Sequence, residues 1–219
     1  MRGDARIAQG NTEGALADFD AAVALFPLDP RVLANRAAVL VELGHMEEAF
    51  ATIDRAVALA PTDERWRSWH ERQAAHLLRA GWELAQEQDF AGALAVYDRA
   101  EVLNPDHPHL HFHRGRAHAR LNAFEPARRD FERAIALDPD HFEAYRDMDY
   151  LLIRRGQWGD IVGYWNRFLA RQPDHAEAYL ERGGAHFHAD DMERALADYE
   201  RACSLGNETA CNHLKELRS

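Results

Sequence analysis

Several kinds of residue and segment are scarce in this chain of 219 residues. Lysine occurs once, at Lys215, and cysteine occurs twice, at Cys203 and Cys211. No apolar run approaches the ~20 residues that a membrane helix needs. No basic segment followed by an apolar one opens the chain, as it would in a signal peptide. We therefore expect a soluble protein that does not insert into a membrane.

Motifs that carry chemistry are also missing. The sequence has no GxSxG motif, no glycine loop that could cradle a phosphate and no identifiable pair of carboxylates in a cleft. It has 37 acidic residues against 26 basic ones, and its formal charge of −11 repels a phosphate backbone. The sequence therefore predicts neither an enzyme nor a nucleic-acid-binding protein, and it implies no cofactor.

The sequence does contain an internal repeat. Closely similar segments end at prolines spaced by 34 residues, apart from one interval of 44, and a sixth copy ends at Asn207. Such a period is typical of stacked helical hairpins, which cannot bury their apolar faces alone. The prolines are Pro27, Pro61, Pro105, Pro139 and Pro173.

The second helix of each hairpin carries a small, a large and a small apolar residue at spacings of four and three, which places all three on one packing face. These sets are Ala15, Phe19, Ala22; Ala49, Ile53, Ala56; Ala93, Tyr97, Ala100; Ala127, Phe131, Ala134; and Ala195, Tyr199, Ala202. Between the two helices we predict breaks at residues that, except for Gln88, tolerate a left-handed backbone: Gly10, Gly44, Gln88, Asn122, Gly156 and Asp190.

These features resemble the tetratricopeptide repeat family over nearly the whole chain. The family's small residue midway along the first helix is present as Ala37, Gly81, Gly115 and Gly183. The resemblance implies an all-α, right-handed solenoid of about six antiparallel hairpins and a capping helix. It divides the chain into residues 1–63 (units 1 and 2), 64–107 (unit 3), 108–207 (units 4 to 6) and 208–219 (the cap).

Three segments depart from the regular pattern. Asp149 occupies the small-residue position of unit 5, and Ile161, Trp165 and Phe168 replace the small-large-small set there, so we expect a wider hairpin. The ten additional residues of unit 3 predict a first helix that begins near Glu64, about three turns early. Arg2-Gly3 falls in the phase of Arg114-Gly115, so the first unit is expected to lack the start of its first helix.

The long helix of unit 3 carries Trp66 and Trp69. The sequence leaves open whether these rings pack on the preceding hairpin or form a contact with a partner or a second copy. A homo-oligomer through these two residues or through the exposed N-terminal seam therefore stays open.

The two cysteines lie in ACSLGNETACNHL, which resembles the Sel-like relatives of the tetratricopeptide repeats. That resemblance implies a Cys203–Cys211 disulfide, which would tie the cap down and indicate an exported or periplasmic protein. Two reduced cysteines in a cytoplasmic protein are the other interpretation.

Histidine is concentrated in HPHLHFHRGRAH, residues 107–118. The repeat register places His111, His118 and His186 between helices, and His107 at the end of a loop. His109 and His113, four residues apart, remain on one helix face. A structural zinc site needs four ligands, and nothing nearby supplies the other two, so we expect no metal.

The same register predicts a basic and aromatic stripe in the concave groove: Arg79, Trp82, Gln86, His109, Phe112, His113, Arg116, Arg120, Arg146, Tyr150 and Arg154. This stripe favours an extended peptide with acidic and apolar side chains. Alternatively, the arginines pair with neighbouring carboxylates at Glu143, Asp147, Glu177 and Glu181. The family's clamp for a terminal carboxylate is matched only in fragments, by Asn35 and Arg79.

Three functions stay open at this point. The chain is predicted to be an adaptor that binds a partner protein, with the helical repeat domain of a larger protein and a self-assembling scaffold as alternatives.

Overall fold

The computed structural model describes residues 3, 6, 10–61 and 64–218, with the side chains of all of these except 46 and 64–70. Within that part of the chain every regular element is a helix. The helices are α1 Thr12–Leu25, α2 Pro30–Glu42, α3 Met46–Leu59, α4 Glu64–Gln86, α5 Phe90–Leu103, α6 Pro108–Arg120, α7 Phe124–Leu137, α8 Phe142–Ile153, α9 Trp158–Arg171, α10 Ala176–His188, α11 Met192–Ser204 and α12 Glu208–Leu217. The prediction of an all-α repeat fold is confirmed.

The described residues form two compact units. The first contains Met1–Leu77 with Val102–Asn104, and the second contains Leu78–Glu101 with Pro105–Ser219. In the second unit α6 contacts both α7 and α8, and each helix from α7 to α11 packs on the next. The predicted early start of α4 is correct, since this helix begins at Glu64. The side chains of Trp66 and Trp69, and most of the N-terminal seam, lie outside the described residues.

The predicted breaks between helices are confirmed. All six positions have a positive φ, and Gln88, which was not expected to tolerate this conformation, adopts a φ of 66°. At Gly44 and Gly156 glycine removes the steric cost of this left-handed backbone.

The predicted packing face of the second helices is buried. In unit 4, Ala127, Phe131 and Ala134 are each at most 1% exposed. A Cβ on Gly115 would lie 2.9 Å from the Phe131 ring, so the small residue of the first helix is required by the large one of the second. Ala22 of unit 1 is only partly buried. In unit 5 the contact between the two helices is a hydrogen bond instead, in which the Trp165 indole nitrogen donates to the Asp149 carboxylate at 2.9 Å inside the core.

In every second repeat, an arginine of the first helix links its own hairpin to the preceding one. Arg114 of α6 donates to Asp130 of its own hairpin at 2.8 Å and to Asp98 of the preceding one at 3.0 Å, and it also pairs with Glu101. Arg36 and Arg182 make the equivalent contacts in units 2 and 6. Units 3 and 5 replace the arginine and its partner with the apolar pairs Ala80, Val96 and Met148, Tyr164.

The C-terminal end is closed by α12, whose Ala210 and Leu214 are buried as predicted, while Leu217 is 37% exposed. Asn207 caps this helix by accepting a hydrogen bond from the Ala210 amide. Cys203 of α11 and Cys211 of α12 form a disulfide.

Candidate functional site

A pocket of about 640 Å³ lies in the second unit, lined by the C-terminal halves of α4, α6 and α8. Seven of the eleven predicted groove residues line it, because their spacing of three or four places them on one face of each helix. These residues are Trp82, Gln86, His113, Arg116, Arg120, Tyr150 and Arg154. Phe90, Asn122 and Asp147 also line the pocket and were not predicted as ligand contacts.

Arg116 lies on the wall of the pocket, where its Nε atom is 3.2 Å from Asp147. Burial raises the pKa of Asp147, although Arg116 and Arg146 oppose this shift. Among the four carboxylates that the sequence offered as partners, Asp147 alone forms a described ion pair with a groove arginine. The positive charge of Arg116 is therefore partly compensated within the protein.

Arg120 and Arg154 are held by neutral groups instead. The Arg120 guanidinium lies 4.8 Å from the centroid of the Phe90 ring, a cation–π distance. Arg154 donates to the side-chain oxygen of Asn122 at 2.9 Å. Neither arginine forms an ion pair with any described residue. Both retain N–H donors that a carboxylate of a ligand could accept.

The aromatic side chains of the pocket differ in exposure. Trp82 is 46% exposed and Tyr150 is 68% exposed, so both rings face solvent. Tyr97 contributes a fully buried ring, and burial raises the pKa of its hydroxyl to about 12. The two exposed rings can bury apolar area against a ligand.

Four predicted groove residues do not line the pocket. Phe112 is 6% exposed and packs on Phe131 and His141, so its ring belongs to the core and cannot contact a ligand. Arg79 is exposed and pairs with Glu83 at 3.0 Å on the same helix. Arg146 is exposed, with its guanidinium 6.0 Å from the Phe142 ring. His109 is also exposed and contacts other histidines instead.

The histidines of α6 form a cluster beside the pocket. The His109 ring lies 5.8 Å from that of His107 and 5.2 Å from that of His141. His113 is partly buried next to Phe112, and burial together with Arg116 lowers its pKa to about 4. Among the described residues, no three His, Cys, Asp or Glu side chains are arranged to hold a metal ion. His111 and His186 are buried, and His118 is partly buried, between helices as predicted.

Phe90 belongs to a recurring contact that a closer comparison of the repeats could have revealed. Units 3, 4 and 5 each begin their second helix with an aromatic residue, and the next repeat stacks a basic side chain on it. The pairs are Phe90 with Arg120, Phe124 with Arg155, and Trp158 with His188. This aromatic position, repeated every 34 residues, is the signal in the sequence.

Comparisons with known proteins agree with this architecture. Two family models described as tetratricopeptide repeat match the chain, one over residues 82–151 and the other over residues 1–64 and 150–208. The chain belongs to the tetratricopeptide repeat family. No curated protein matches the sequence significantly. Within the described residues, no helix combines the length and the apolar character that crossing a membrane would require.

Several solved structures are similar to this chain in fold at low sequence identity. YrrB, described as "a TPR protein with an unusual peptide-binding site", is 20% identical with a TM-score of 0.55, and the match covers 90% of this chain and 97% of that one. The type IV pilus biogenesis factor PilW is 17% identical with a TM-score of 0.54, covering 99% and 95%. MamA is 15% identical with a TM-score of 0.55, covering 83% and 93%.

Proposed function

We propose that this protein is an adaptor that binds an extended segment of a partner protein in the pocket between α4, α6 and α8. Tetratricopeptide repeats generally mediate protein–protein interactions, and proteins of this family are typically scaffolds rather than enzymes. The observation that carries the proposal is the pairing of two exposed rings, Trp82 and Tyr150, with two arginines, Arg120 and Arg154, that have no carboxylate partner among the described residues.

The chemistry of the pocket favours a ligand with both acidic and apolar side chains. Arg120 and Arg154 are oriented by Phe90 and Asn122, so little side-chain entropy is lost when they bind a carboxylate. Apolar side chains of the ligand would bury the faces of Trp82 and Tyr150. YrrB, which has a similar fold, is described as having a peptide-binding site, and this supports peptide binding by the present fold.

The proposal is tested with a panel of fluorescent peptides in which acidic and aromatic residues are interleaved, measured by polarisation. Arg120→Glu combined with Arg154→Glu should weaken binding of the best peptide at least tenfold and reduce its dependence on salt. Arg146→Glu is the matched control, because this exposed arginine lies outside the pocket. Equal affinity of the double variant and the parent would show that the pocket is not the site.

A further inference from the structure

The last residue of α1 and the loop before α2 expose three large apolar side chains in one short segment. Leu25 is 74% exposed, Phe26 is 58% exposed and Leu28 is 73% exposed. We call residues 25–28 the apolar loop. A contiguous exposed patch of this kind is typical of a contact surface.

The repeat fold itself does not require apolar residues in this loop. Units 3, 4 and 5 place polar residues at the positions of Phe26 and Leu28, and they keep the same helical hairpin. These residues are Asn104, Asp138 and Gln172 at the first position, and Asp106, Asp140 and Asp174 at the second. Phe26 and Leu28 therefore serve something other than the local fold.

The pocket in the second unit offers matching chemistry. Its volume of about 640 Å³ falls within the ~300–1,000 Å³ typical of ligand pockets, which is enough for two or three large side chains. Its exposed rings, Trp82 and Tyr150, offer apolar surface on which such side chains can pack.

The charges of the two regions are also complementary. Residues 10–61 contain eight acidic residues and three arginines, a net charge of −5. The pocket is lined by three arginines, Arg116, Arg120 and Arg154, against one carboxylate, Asp147. The positive lining of the pocket and the acidic first repeats therefore attract each other locally, which favours the correct orientation of the two surfaces.

We propose that the apolar loop of one copy of this protein inserts into the pocket of a second copy. The contact joins two different surfaces, so each copy retains one free loop and one free pocket. Successive copies then add in the same direction and build an open chain. This inference rests on the proposed function, because it assigns an occupant to the same pocket.

Sedimentation velocity over a range of protein concentrations tests the proposal. The parent should form species that grow with concentration and shrink with added salt. The loop variant Phe26→Asp, Leu28→Asp and the pocket variant Arg120→Glu, Tyr150→Ala should each remain monomeric. Val102→Asp is the matched control, because Val102 is a similarly exposed apolar residue, at 58%, outside both surfaces. Unchanged circular dichroism would show that the variants are folded.

Mixing the two variants gives the decisive result. The loop variant has an intact pocket and the pocket variant has an intact loop, so an equimolar mixture should form discrete heterodimers and nothing larger. A parent that stays monomeric, a loop variant that assembles like the parent, or a mixture that stays monomeric would overturn the proposal. The loop variant should still bind the peptides of the polarisation assay. Loss of self-assembly with peptide binding intact would therefore leave the proposed function standing.

Discussion

The indole nitrogen of Trp165 donates to the buried carboxylate of Asp149 across the fifth hairpin, at 2.9 Å. Asp149 departs from the family pattern, which has a small residue at this position, whereas Trp165 keeps the aromatic residue of the second helix. A glycine opposite an aromatic ring gives close approach in units 3, 4 and 6, whereas unit 5 replaces it with a hydrogen-bonded pair. The tryptophan compensates for the departure at Asp149, since its indole nitrogen supplies the donor that a buried carboxylate needs.

The buried Asp149 carboxylate makes the stability of the protein depend on pH. Burial raises the pKa of Asp149 to about 6, from an ordinary value near 3.8, although the Trp165 donor opposes the shift. The folded state therefore binds a proton more tightly than the unfolded state. The full contribution of Asp149 to stability is present below pH 3.8, and it is lost as the pH rises through about 6.

We accordingly expect Asp149→Asn to stabilise the protein at pH 8 by roughly 1–3 kcal/mol, because the amide still accepts the Trp165 hydrogen bond without carrying a charge. At pH 4 the two proteins should have nearly the same free energy of unfolding. Urea unfolding at both values measures this difference, with the exposed Asp160→Asn as the control. A stabilisation of equal size at both pH values would contradict the assigned cause.

For His113 we expect the opposite pH dependence of stability. Burial and Arg116 lower its pKa from 6.5 to about 4, so its contribution to stability is present above pH 6.5 and is lost as the pH falls towards 4. His113→Gln should remove this loss and make the protein more stable than the parent at pH 4 by about 1 kcal/mol, a value reduced for solvent screening. Thermal unfolding at pH 7 and pH 4 would show it, and the exposed His76→Gln should change neither measurement.

The repeat register predicted much of the candidate site. It failed where the direction of a side chain determines whether the residue lines the pocket or packs in the core. It assigned Arg120, Tyr150 and Arg154 to the groove-facing side of α6 and α8, because these positions recur every 34 residues. It could not tell that Phe112 faces the core, since the tilt of α6 against α7 and α8 determines which of two adjacent positions is covered. The Arg116–Asp147 pair depends on the rotamers of two long side chains, which the register does not specify.

Two substitutions, each measured for stability and for peptide binding, distinguish a core residue from a pocket residue. Phe112→Ala should lower the free energy of unfolding by about 3 kcal/mol, because it removes a buried ring. Tyr150→Ala should barely change stability, but it should weaken peptide binding by about 1–2 kcal/mol with little change in salt dependence. Denaturation and polarisation on both variants would test this, and a stable Phe112→Ala variant would mean that this ring is not part of the core.

The disulfide predicts a local effect at the C-terminal end. Closing the short loop between Cys203 and Cys211 is expected to contribute about 2–3 kcal/mol to the docking of α12. Cys203→Ser combined with Cys211→Ser should speed amide exchange in α12 while leaving α6 to α8 unchanged. Mass spectrometry with and without reductant should show a gain of two hydrogen atoms on reduction, and an unchanged mass would mean that the thiols are free in the purified protein.

The side chain of Arg114 is only 11% exposed and lies among the carboxylates of Asp98, Glu101 and Asp130. Arg114→Ala should destabilise the protein by roughly 3 kcal/mol, because it leaves the buried Asp130 without its cation. Unit 3 indicates which second substitution should compensate, since it has Ala80 and Val96 at the positions of Arg114 and Asp130. Adding Asp130→Val to Arg114→Ala should recover most of the lost stability, as an apolar pair needs no counter-charge. Urea unfolding of the parent, both single variants and the double variant completes the cycle. Additive losses in the double variant would show that the arginine and the aspartate do not act as a pair.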